Sequence, residues 1–253
     1  MNILEQILEI KRKEAEKSQP YLVKDEPSNR LSLKDCLSSS SISVIAEIKM
    51  KSPSEGDILL NADPVQIAKD YESVGASAIS VITDQQFFGG HINILKLVKQ
   101  AVSIPVIRKD FIVHHNQILE AGSAGADAYL LIAEALNSQK ISEFIDYGKE
   151  LGLEALVEFH AEENTEIIKQ ISPDIVGVNC RDLKTMKTDI NYFGKMINRL
   201  PVNSIKIAES GITTNNELRY VFDLGYNAVL VGTSLMKTGY PGKALEDLIK
   251  GII

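Results

Sequence analysis

The sequence has no tryptophan, two cysteines and four histidines. Cys36 and Cys180 are too few for a disulfide framework or a cysteine-rich zinc cluster, and they fit a reducing compartment, so we expect a cytoplasmic protein. No apolar run approaches the roughly 20 residues that a membrane-spanning helix needs. The first 17 residues mix charged with apolar side chains, unlike a secretory signal peptide. These absences predict a protein that has no membrane partner.

Basic residues are outnumbered by acidic ones. There are 27 Lys and Arg against 34 Asp and Glu, which gives a formal net charge of -7 at pH 7. Nucleic acids and anionic membranes attract proteins through basic surfaces, so neither is expected as the main partner. The hydrophobic fraction of 44% in 253 residues is enough to bury a sizeable core. We therefore expect a folded globular protein.

The first 43 residues differ in pattern from the rest. Ile3, Leu4, Ile7, Leu8 and Ile10 have the spacing of one helix face. The basic residues at positions 11 to 13 are interleaved with acids, which is typical of a solvated helix face. Polar, turn-rich sequence follows from position 18 to 43, and regular alternation begins only at position 44. We interpret residues 1–43 as an N-terminal extension of a single domain that spans 1–253.

From position 44 onward, short β-branched runs alternate with helical segments. The eight runs are Val44–Lys49, Ala78–Ile82, Val106–Lys109, Ala128–Ile132, Ala155–Glu158, Ile175–Asn179, Ile205–Ala208 and Ala228–Val231. Gly75, Gly125, Gly152 and Gly225 each precede by three residues an alanine that opens a run. This repeat predicts a helix that ends on a left-handed glycine, a tight turn and a new strand.

Eight βα units predict an α/β fold, namely a parallel (β/α)8 TIM barrel with an N-terminal helical extension. The alternative is a doubly wound open sheet, which normally carries a Gly-rich phosphate turn after its first strand. Here Lys49 is followed by Met-Lys-Ser-Pro-Ser, so we favour the barrel. The polar part of the extension either covers the barrel floor or reaches towards the ligand, and its composition does not decide between the two.

Charged or polar residues end four of the eight runs and directly follow a fifth. A barrel strand should end in apolar residues unless something binds there, because its inward side chains fill a dry core. Each charge taken singly also fits a solvated strand end, but five on one rim indicate an enzyme site, since active sites of this fold lie there. The residues are Glu47 with Lys49 on the same strand face, Lys109, Glu158, Asn179 with Arg181 just beyond it, and Glu209.

Two further stretches at this rim suggest a phosphate site. Ser210 and Gly211 follow the seventh run, and Gly232 and Thr233 follow the eighth. Glycines there let backbone N–H groups approach an anion, helped by the N-terminus of a short helix. Ser52 opens a loop after the first run that either closes over a ligand or is a plain turn.

Other chemistry-bearing residues give weaker signals. His114 and His115 are adjacent, so on one helix they point about 100° apart, and His91 and His160 lie elsewhere in the sequence. We therefore expect no metal site. We expect Cys180 to point into the packing behind its strand. The Phe-Phe-Gly-Gly stretch at positions 87–90 predicts a structured loop after the second run, and the alternative is that a phenylalanine there walls an aromatic substrate.

Six motifs, in order and each at the end of a run, resemble those of indole-3-glycerol-phosphate synthases. They are Ala46-Glu-Ile-Lys-Met-Lys-Ser-Pro-Ser, Arg108-Lys-Asp-Phe-Ile, Glu154-Ala-Leu-Val-Glu, Val178-Asn-Cys-Arg-Asp-Leu, Ala208-Glu-Ser-Gly-Ile and Val231-Gly-Thr-Ser-Leu-Met. The resemblance runs essentially end to end. It implies a carbon–carbon lyase of tryptophan biosynthesis without metal or organic cofactor. The implied reaction converts 1-(2-carboxyphenylamino)-1-deoxyribulose 5-phosphate to indole-3-glycerol phosphate, with loss of carbon dioxide and water.

The resemblance also implies roles for individual residues. Lys109 is similar to the general acid that protonates the substrate ketone, and Glu158 to the carboxylate that assists proton removal and dehydration. An ammonium can act in this way if burial or neighbouring cations lower its pKa. The other implied roles are a contact near the substrate carboxylate for Lys49, ring-closure support for Glu47, Asn179 and Glu209, and substrate or phosphate binding for Ser52, Arg181, Ser210, Gly211, Gly232 and Thr233.

Two other functions stay open, and we predict a monomer or weak homodimer in each case. A barrel like phosphoribosylanthranilate isomerase would end its first strand in a cysteine, where this chain has Lys49, and Cys36 lies upstream. A non-catalytic barrel that binds a phosphometabolite needs cations but no carboxylate facing them. The pair Lys109 and Glu158 disfavours that alternative.

Overall fold

The computed structural model describes residues 3–17, 30–182 and 187–252. Its centre is a closed barrel of eight parallel strands, in which each strand pairs with the next along the chain and the last pairs with the first. The strands are β1 (Ser43–Ile48), β2 (Ala78–Ile82), β3 (Val106–Lys109), β4 (Ala128–Ile132), β5 (Glu154–Phe159), β6 (Ile175–Asn179), β7 (Ile205–Glu209) and β8 (Ala228–Val231). The predicted barrel is confirmed, and the doubly wound alternative is wrong.

Helices surround the barrel and extend it at both ends. They are α1 (Ile3–Lys17), α2 (Leu33–Cys36), α3 (Pro64–Ser73), α4 (Ile92–Ala101), α5 (His115–Ser123), α6 (Ser138–Glu150), α7 (Thr165–Ile171), α8 (Tyr192–Met196), α9 (Asn215–Asp223), α10 (Thr233–Met236) and α11 (Pro241–Ile249), with 3-10 turns at Glu162–Asn164 and Ile197–Arg199. Local sequence fixes many of their starts. Asp63, Asn137 and Thr214 accept a backbone N–H at the helix N-terminus, and Thr214 forms a reciprocal capping box with Glu217.

The four repeated glycines behave as predicted. Gly75, Gly125, Gly152 and Gly225 have φ angles between 69° and 104°, a backbone region that side-chain-bearing residues rarely adopt. Each lies between the end of a helix and the start of a strand. These junctions therefore return the chain from the outer helices to the barrel at a fixed point.

Alternation along the strands builds two apolar layers. Inward residues such as Ile45, Ile107 and Leu156 fill the barrel, whereas outward residues such as Val44 and Val157 pack against the helices. Glu47 continues the inward face of β1 beyond Ile45, because side chains two apart lie on the same side of a strand. The sequence alternation thus aims the strand-end charges at the mouth of the barrel.

The described part of the polar extension covers the opposite end, the floor. Leu33 and Leu37 pack into the apolar layer inside the barrel. The Arg30 guanidinium donates hydrogen bonds to the carbonyls of Leu151, Ala126 and Gly122, which precede β5 and β4 or end α5. Residues 30–43 of the extension therefore cover the barrel floor and do not reach towards the ligand. Residues 18–29 lie outside the described ranges. Within those ranges, no helix combines the length and apolar character that crossing a membrane would require.

Candidate active site

A cavity of about 390 Å³ opens at the carboxyl ends of the barrel strands. All twelve residues predicted to form the site line it. They come from six of the eight strands or from the loops that follow them. The structure thus brings together side chains that are up to 186 positions apart in sequence, from Glu47 to Thr233. Their individual roles stay predictions.

Lys109 lies at the centre of the charged residues. Its Nζ is 2.9 Å from Glu158 Oε2 and 3.2 Å from Glu209 Oε2. The Nδ2 of Asn179 donates a 2.8 Å hydrogen bond to the other oxygen of Glu158. Because these side chains project from β3, β5, β6 and β7, the barrel fixes their mutual distances.

The pKa of the Lys109 ammonium is shifted upwards, contrary to our expectation. Burial alone would lower this pKa, but attraction to Glu158, Glu209 and Glu47 outweighs burial and raises it. The expectation named burial or neighbouring cations as what would lower this pKa, whereas the nearest charges are carboxylates. Lys109 therefore holds its proton firmly at neutral pH.

The two carboxyl groups beside Lys109 have pKa values that are shifted in opposite directions. Burial and the proximity of Glu158 raise the pKa of Glu209 to about 8. Burial also opposes ionisation of Glu158, but Lys109 and the Asn179 hydrogen bond lower its pKa below the usual value. Within the described residues, Glu209 Oε1 has no hydrogen-bond partner. The two carboxyl groups therefore titrate as a coupled pair, in which Glu209 gives up its proton at a higher pH than Glu158.

Lys49 forms a second ion pair at the mouth. Its Nζ lies 2.8 Å from Oε1 of Glu47. Burial raises the pKa of Glu47, but Lys49 and Lys109 lower it by more, so its carboxylate stays ionised. Gly232 makes room for this side chain, because a Cβ built there would lie 2.6 Å from Glu47 Oε1. The ammonium of Lys49 faces the cavity at one side of the Lys109 cluster.

The predicted phosphate residues form another side of the cavity. Ser210 and Gly211 both have positive φ angles, 70° and 73°, and Gly232 precedes the short helix α10 that begins at Thr233. Arg181 lines the same cavity and pairs with Thr188 through a β-bridge. Cys180 is buried in the packing outside the barrel, as predicted, and its thiol donates to the Ser210 carbonyl.

The remaining wall is apolar. Phe88 and Phe111 have ring centroids 6.0 Å apart, and both line the cavity. The alternative in which a phenylalanine forms a wall is therefore supported by Phe88, and Phe111 is a second ring that sequence reasoning missed. Ile3, Leu4 and Ile7 of α1 also line the cavity, as do Leu130 and Leu230 below them. The helical spacing of α1 predicted an apolar face, but nothing in the sequence showed that it would cover the barrel mouth.

One prediction about α1 is wrong. Arg12 and Lys13 are exposed as expected, but Lys11 is buried. Its ammonium lies 3.0 Å from Asp84 Oδ2 and 3.0 Å from Asp110 Oδ1, two buried carboxylates that follow β2 and β3. Interleaved charges correctly indicate a helix with a solvent-exposed face, but they do not show which lysine side chain is buried against the barrel.

The loop opened by Ser52 is a small antiparallel hairpin, in which Lys51–Ser52 pairs with Gly56–Asp57. Ser52 and Glu55 line the cavity, and the Glu55 carboxylate forms an ion pair with Lys237 on the far rim. The loop therefore lies over one side of the mouth rather than being a plain turn. No group of three or more metal-ligating side chains occurs among the residues that the structure describes.

Known proteins share both the sequence and the fold. A family model for indole-3-glycerol phosphate synthase matches residues 3–248. A synthase of that name from Halalkalibacterium halodurans is 42% identical, over 98% of this chain and 97% of the relative, and one from a Geobacillus species is 43% identical, over 99% and 98%. The chain belongs to the indole-3-glycerol phosphate synthase family.

Solved structures with low sequence identity show the fold alone. One is the N-acetylmannosamine-6-phosphate 2-epimerase of Clostridium perfringens, with a TM-score of 0.64 and 15% identity over 85% of this chain and 95% of that chain. Another is from the tryptophan synthase complex of Pyrococcus furiosus, with a TM-score of 0.62 and 16% identity over 83% and 98%. Family membership therefore comes from the sequence matches, and the barrel is shared more widely.

Proposed function

We propose that the chain is an indole-3-glycerol-phosphate synthase, a carboxy-lyase of tryptophan biosynthesis. Its substrate would be 1-(2-carboxyphenylamino)-1-deoxyribulose 5-phosphate. The observation that carries the proposal is the Lys109 ammonium held between Glu158 and Glu209 inside a cavity whose other walls are apolar on one side and glycine-rich on the other. That arrangement matches a substrate with an aromatic ring at one end and a phosphate at the other.

Ring closure joins the carboxylate-bearing carbon of the aromatic ring to the ketone carbon of the sugar. We assign Lys109 as the acid that gives its proton to the ketone oxygen while this bond forms. The apolar side chains opposite, Phe88 and Phe111 among them, would hold the ring against the ketone. The phosphate would bind at Ser210, Gly211, Gly232 and Thr233, which line the cavity and whose glycines let backbone N–H groups approach an anion.

Decarboxylation then breaks the bond from the ring carbon to the carboxylate, and its electrons restore the aromatic ring. We assign Lys49 and Arg181 to hold anionic groups of the substrate, since both line the cavity as cations. Glu47 fixes the Lys49 ammonium at 2.8 Å.

Dehydration expels the new hydroxyl group as water. We assign the ionised Glu158 as the base that removes a proton from the neighbouring carbon, and Lys109, once its ammonium is restored, as the acid that gives a proton to the hydroxyl. Glu209, whose pKa is raised, lies 3.2 Å from Lys109, and we assign it to supply the proton that restores the Lys109 ammonium before this step. Overall the reaction takes up one proton, because a carboxylate leaves as neutral carbon dioxide.

The activity is tested by adding the carboxyphenylamino-deoxyribulose phosphate to the purified protein and following indole fluorescence. The chain contains no tryptophan, so product emission rises over a background of eight tyrosines. A synthase gives a rise that stops when substrate is consumed. No rise at high enzyme concentration contradicts the proposal, and turnover of phosphoribosylanthranilate instead would favour the isomerase-like alternative.

Two further properties belong to the same proposal. Cys36 is exposed and Cys180 is buried, both as free thiols, which fits the reducing cytoplasm that we propose as its location. We also propose a monomer or weak homodimer, which sedimentation of the purified chain would test.

A further inference from the structure

The buried Lys11 on α1 is not used by the chemistry proposed above. Its side chain is 6% exposed, and the two aspartates that it contacts, Asp84 and Asp110, are each 2% exposed. Long charged side chains are almost never this buried unless they are paired. The ammonium therefore joins a helix from the N-terminal extension to two loops of the barrel mouth.

The same two aspartates also organise the aromatic wall. Asp84 Oδ1 accepts hydrogen bonds from the backbone N–H groups of Phe87 and Phe88, at 2.7 and 3.1 Å. Asp110 Oδ1 accepts one from the backbone N–H of Phe111, at 2.8 Å. Each aspartate thus binds both the backbone of one ring-bearing loop and the Lys11 ammonium.

Lys11 also shares a helix face with the residues that line the cavity. Ile7 lies four positions before it and Leu4 seven positions before it, which is the spacing of one face of an α-helix. Both line the cavity together with the two phenylalanines. Fixing Lys11 on the aspartates therefore fixes the face of α1 that covers the apolar end of the cavity.

Lys11 is needed to balance the negative charges of Asp84 and Asp110. Arg108 contacts Asp110 at 3.2 Å, but its guanidinium also binds Glu120 at 2.8 Å and the Gln117 carbonyl. Among the described residues, Lys11 is the cation that lies within ion-pair distance of Asp84. Removing the ammonium leaves one arginine for two buried aspartates, and α1 loses its charged contact with both loops.

We propose that Lys11 is a positioning residue for substrate binding, which docks α1 onto the Asp84 and Asp110 loops and thereby completes the apolar end of the cavity. The inference rests on the proposed function only in that the ligand of this cavity is the synthase substrate. Lys11 touches neither the substrate nor the reacting groups. Lys11 affects substrate binding by raising the fraction of molecules in which α1 is docked on the barrel.

The kinetic test compares Lys11→Met with Lys13→Met on the same helix, because Lys13 is exposed and pairs only locally with Glu9. If α1 is docked in about a tenth of the Lys11→Met molecules, KM rises about tenfold while kcat changes less than about threefold, because bound substrate selects the docked form. Lys13→Met keeps both constants. An unchanged KM in Lys11→Met overturns the proposal.

A second readout needs no activity. Hydrogen exchange of the backbone amides of residues 3–17 should become faster in Lys11→Met, with the barrel strands unchanged and with Lys13→Met like the wild type. Normal exchange in α1 overturns the proposal even if KM rises. Faster exchange in a chain that shows no synthase activity would support the docking and count only against the proposed function.

The variant Lys11→Met combined with Asp84→Asn guards against misfolding. It removes the carboxylate that loses its cation, while the side-chain oxygen of the substituted residue can still accept from the Phe87 and Phe88 amides. The midpoint of thermal unfolding should recover towards that of the wild type, whereas KM should stay raised. If KM returns to normal together with stability, Lys11 has only a structural role and the proposal is overturned.

Discussion

Both ends of the barrel bury a carboxylate, but the two carboxylates differ in how completely they are hydrogen-bonded. At the floor, Asp127 is 1% exposed and accepts hydrogen bonds from the backbone N–H of Leu31 and of Val106 and from the Lys99 ammonium. At the mouth, Glu209 is also 1% exposed, and its Oε2 accepts from Lys109. Its Oε1 has no hydrogen-bond partner in the described parts of the chain.

The difference separates stability from chemistry. Folding alone favours a buried carboxylate that has all its hydrogen bonds, as at the floor. A carboxyl group left partly unsatisfied beside a lysine costs stability, and such groups cluster where a ligand or a proton transfer uses them. Variants at the mouth should therefore change catalysis, and variants at the floor should change stability.

The largest effect is expected for Glu158→Gln at the mouth. The amide keeps the size of the side chain but cannot take a proton, so kcat should fall about 10²- to 10⁴-fold, the usual contribution of a positioned base. The measurement is the steady-state rate of indole formation. A loss below about threefold would remove Glu158 from the proton transfers.

A smaller effect is expected for Gly177→Ala on β6. A Cβ built at this glycine lies 2.0 Å from Glu209 Oε1, so the methyl group would displace that carboxyl from its place beside Lys109. We expect kcat to fall about 10- to 100-fold, as for other displacements near 1 Å. In a Glu209→Ala background the same change should have no effect on kcat, and an equal loss in both backgrounds would contradict an action through Glu209.

At the floor, Asp127→Asn should leave kcat within about twofold but destabilise the fold. The amide cannot accept from three donors as the carboxylate does, and Lys99 loses its partner, at a cost of about 3 kcal/mol in the free energy of unfolding. For a chain of this length, Tm should fall by about 6 °C or more. If the variant has a normal Tm but a reduced kcat, the claim that the floor serves stability and the mouth serves catalysis is contradicted.

The smallest effect concerns the pH dependence of stability. Since the pKa of Glu209 rises from 4.5 to about 8 on folding, the folded state holds the extra proton in this window, and its free energy of unfolding falls as pH rises from about 4.5 to 8. Glu209→Gln has no such group. Its stability relative to the wild type should increase by at most about 1.4 kcal/mol per pH unit between pH 6 and 8, measured by urea unfolding. A constant difference would argue against the raised pKa.

Much of the barrel could be predicted because its determinants are local. The glycine repeat and the β-branched runs fix where strands begin, and five of the eight predicted runs have the same bounds as the observed strands. Alternation also placed Glu47 and the other strand-end charges at the mouth. These are properties of neighbouring residues, which the sequence displays directly.

The missed features depend on contacts between distant parts of the chain. In the sequence, nothing distinguishes Lys11 from an exposed lysine, because its partners Asp84 and Asp110 are distant along the chain. The pKa of Lys109 likewise depends on carboxylates 49 and 100 positions further along the chain. The covering of the cavity by Ile3, Leu4 and Ile7 likewise follows from where α1 docks and not from its own pattern. Sequence periodicity shows which face is apolar, but not what lies against it.

The most direct test of the account is a single-turnover measurement of Lys109→Ala with enzyme in excess over substrate. If the ammonium is the acid of ring closure, the rate of indole formation should fall at least about 100-fold, while the substrate concentration needed for half-saturation changes less than about threefold. A single-turnover rate within threefold of the wild type would show that another group supplies the proton.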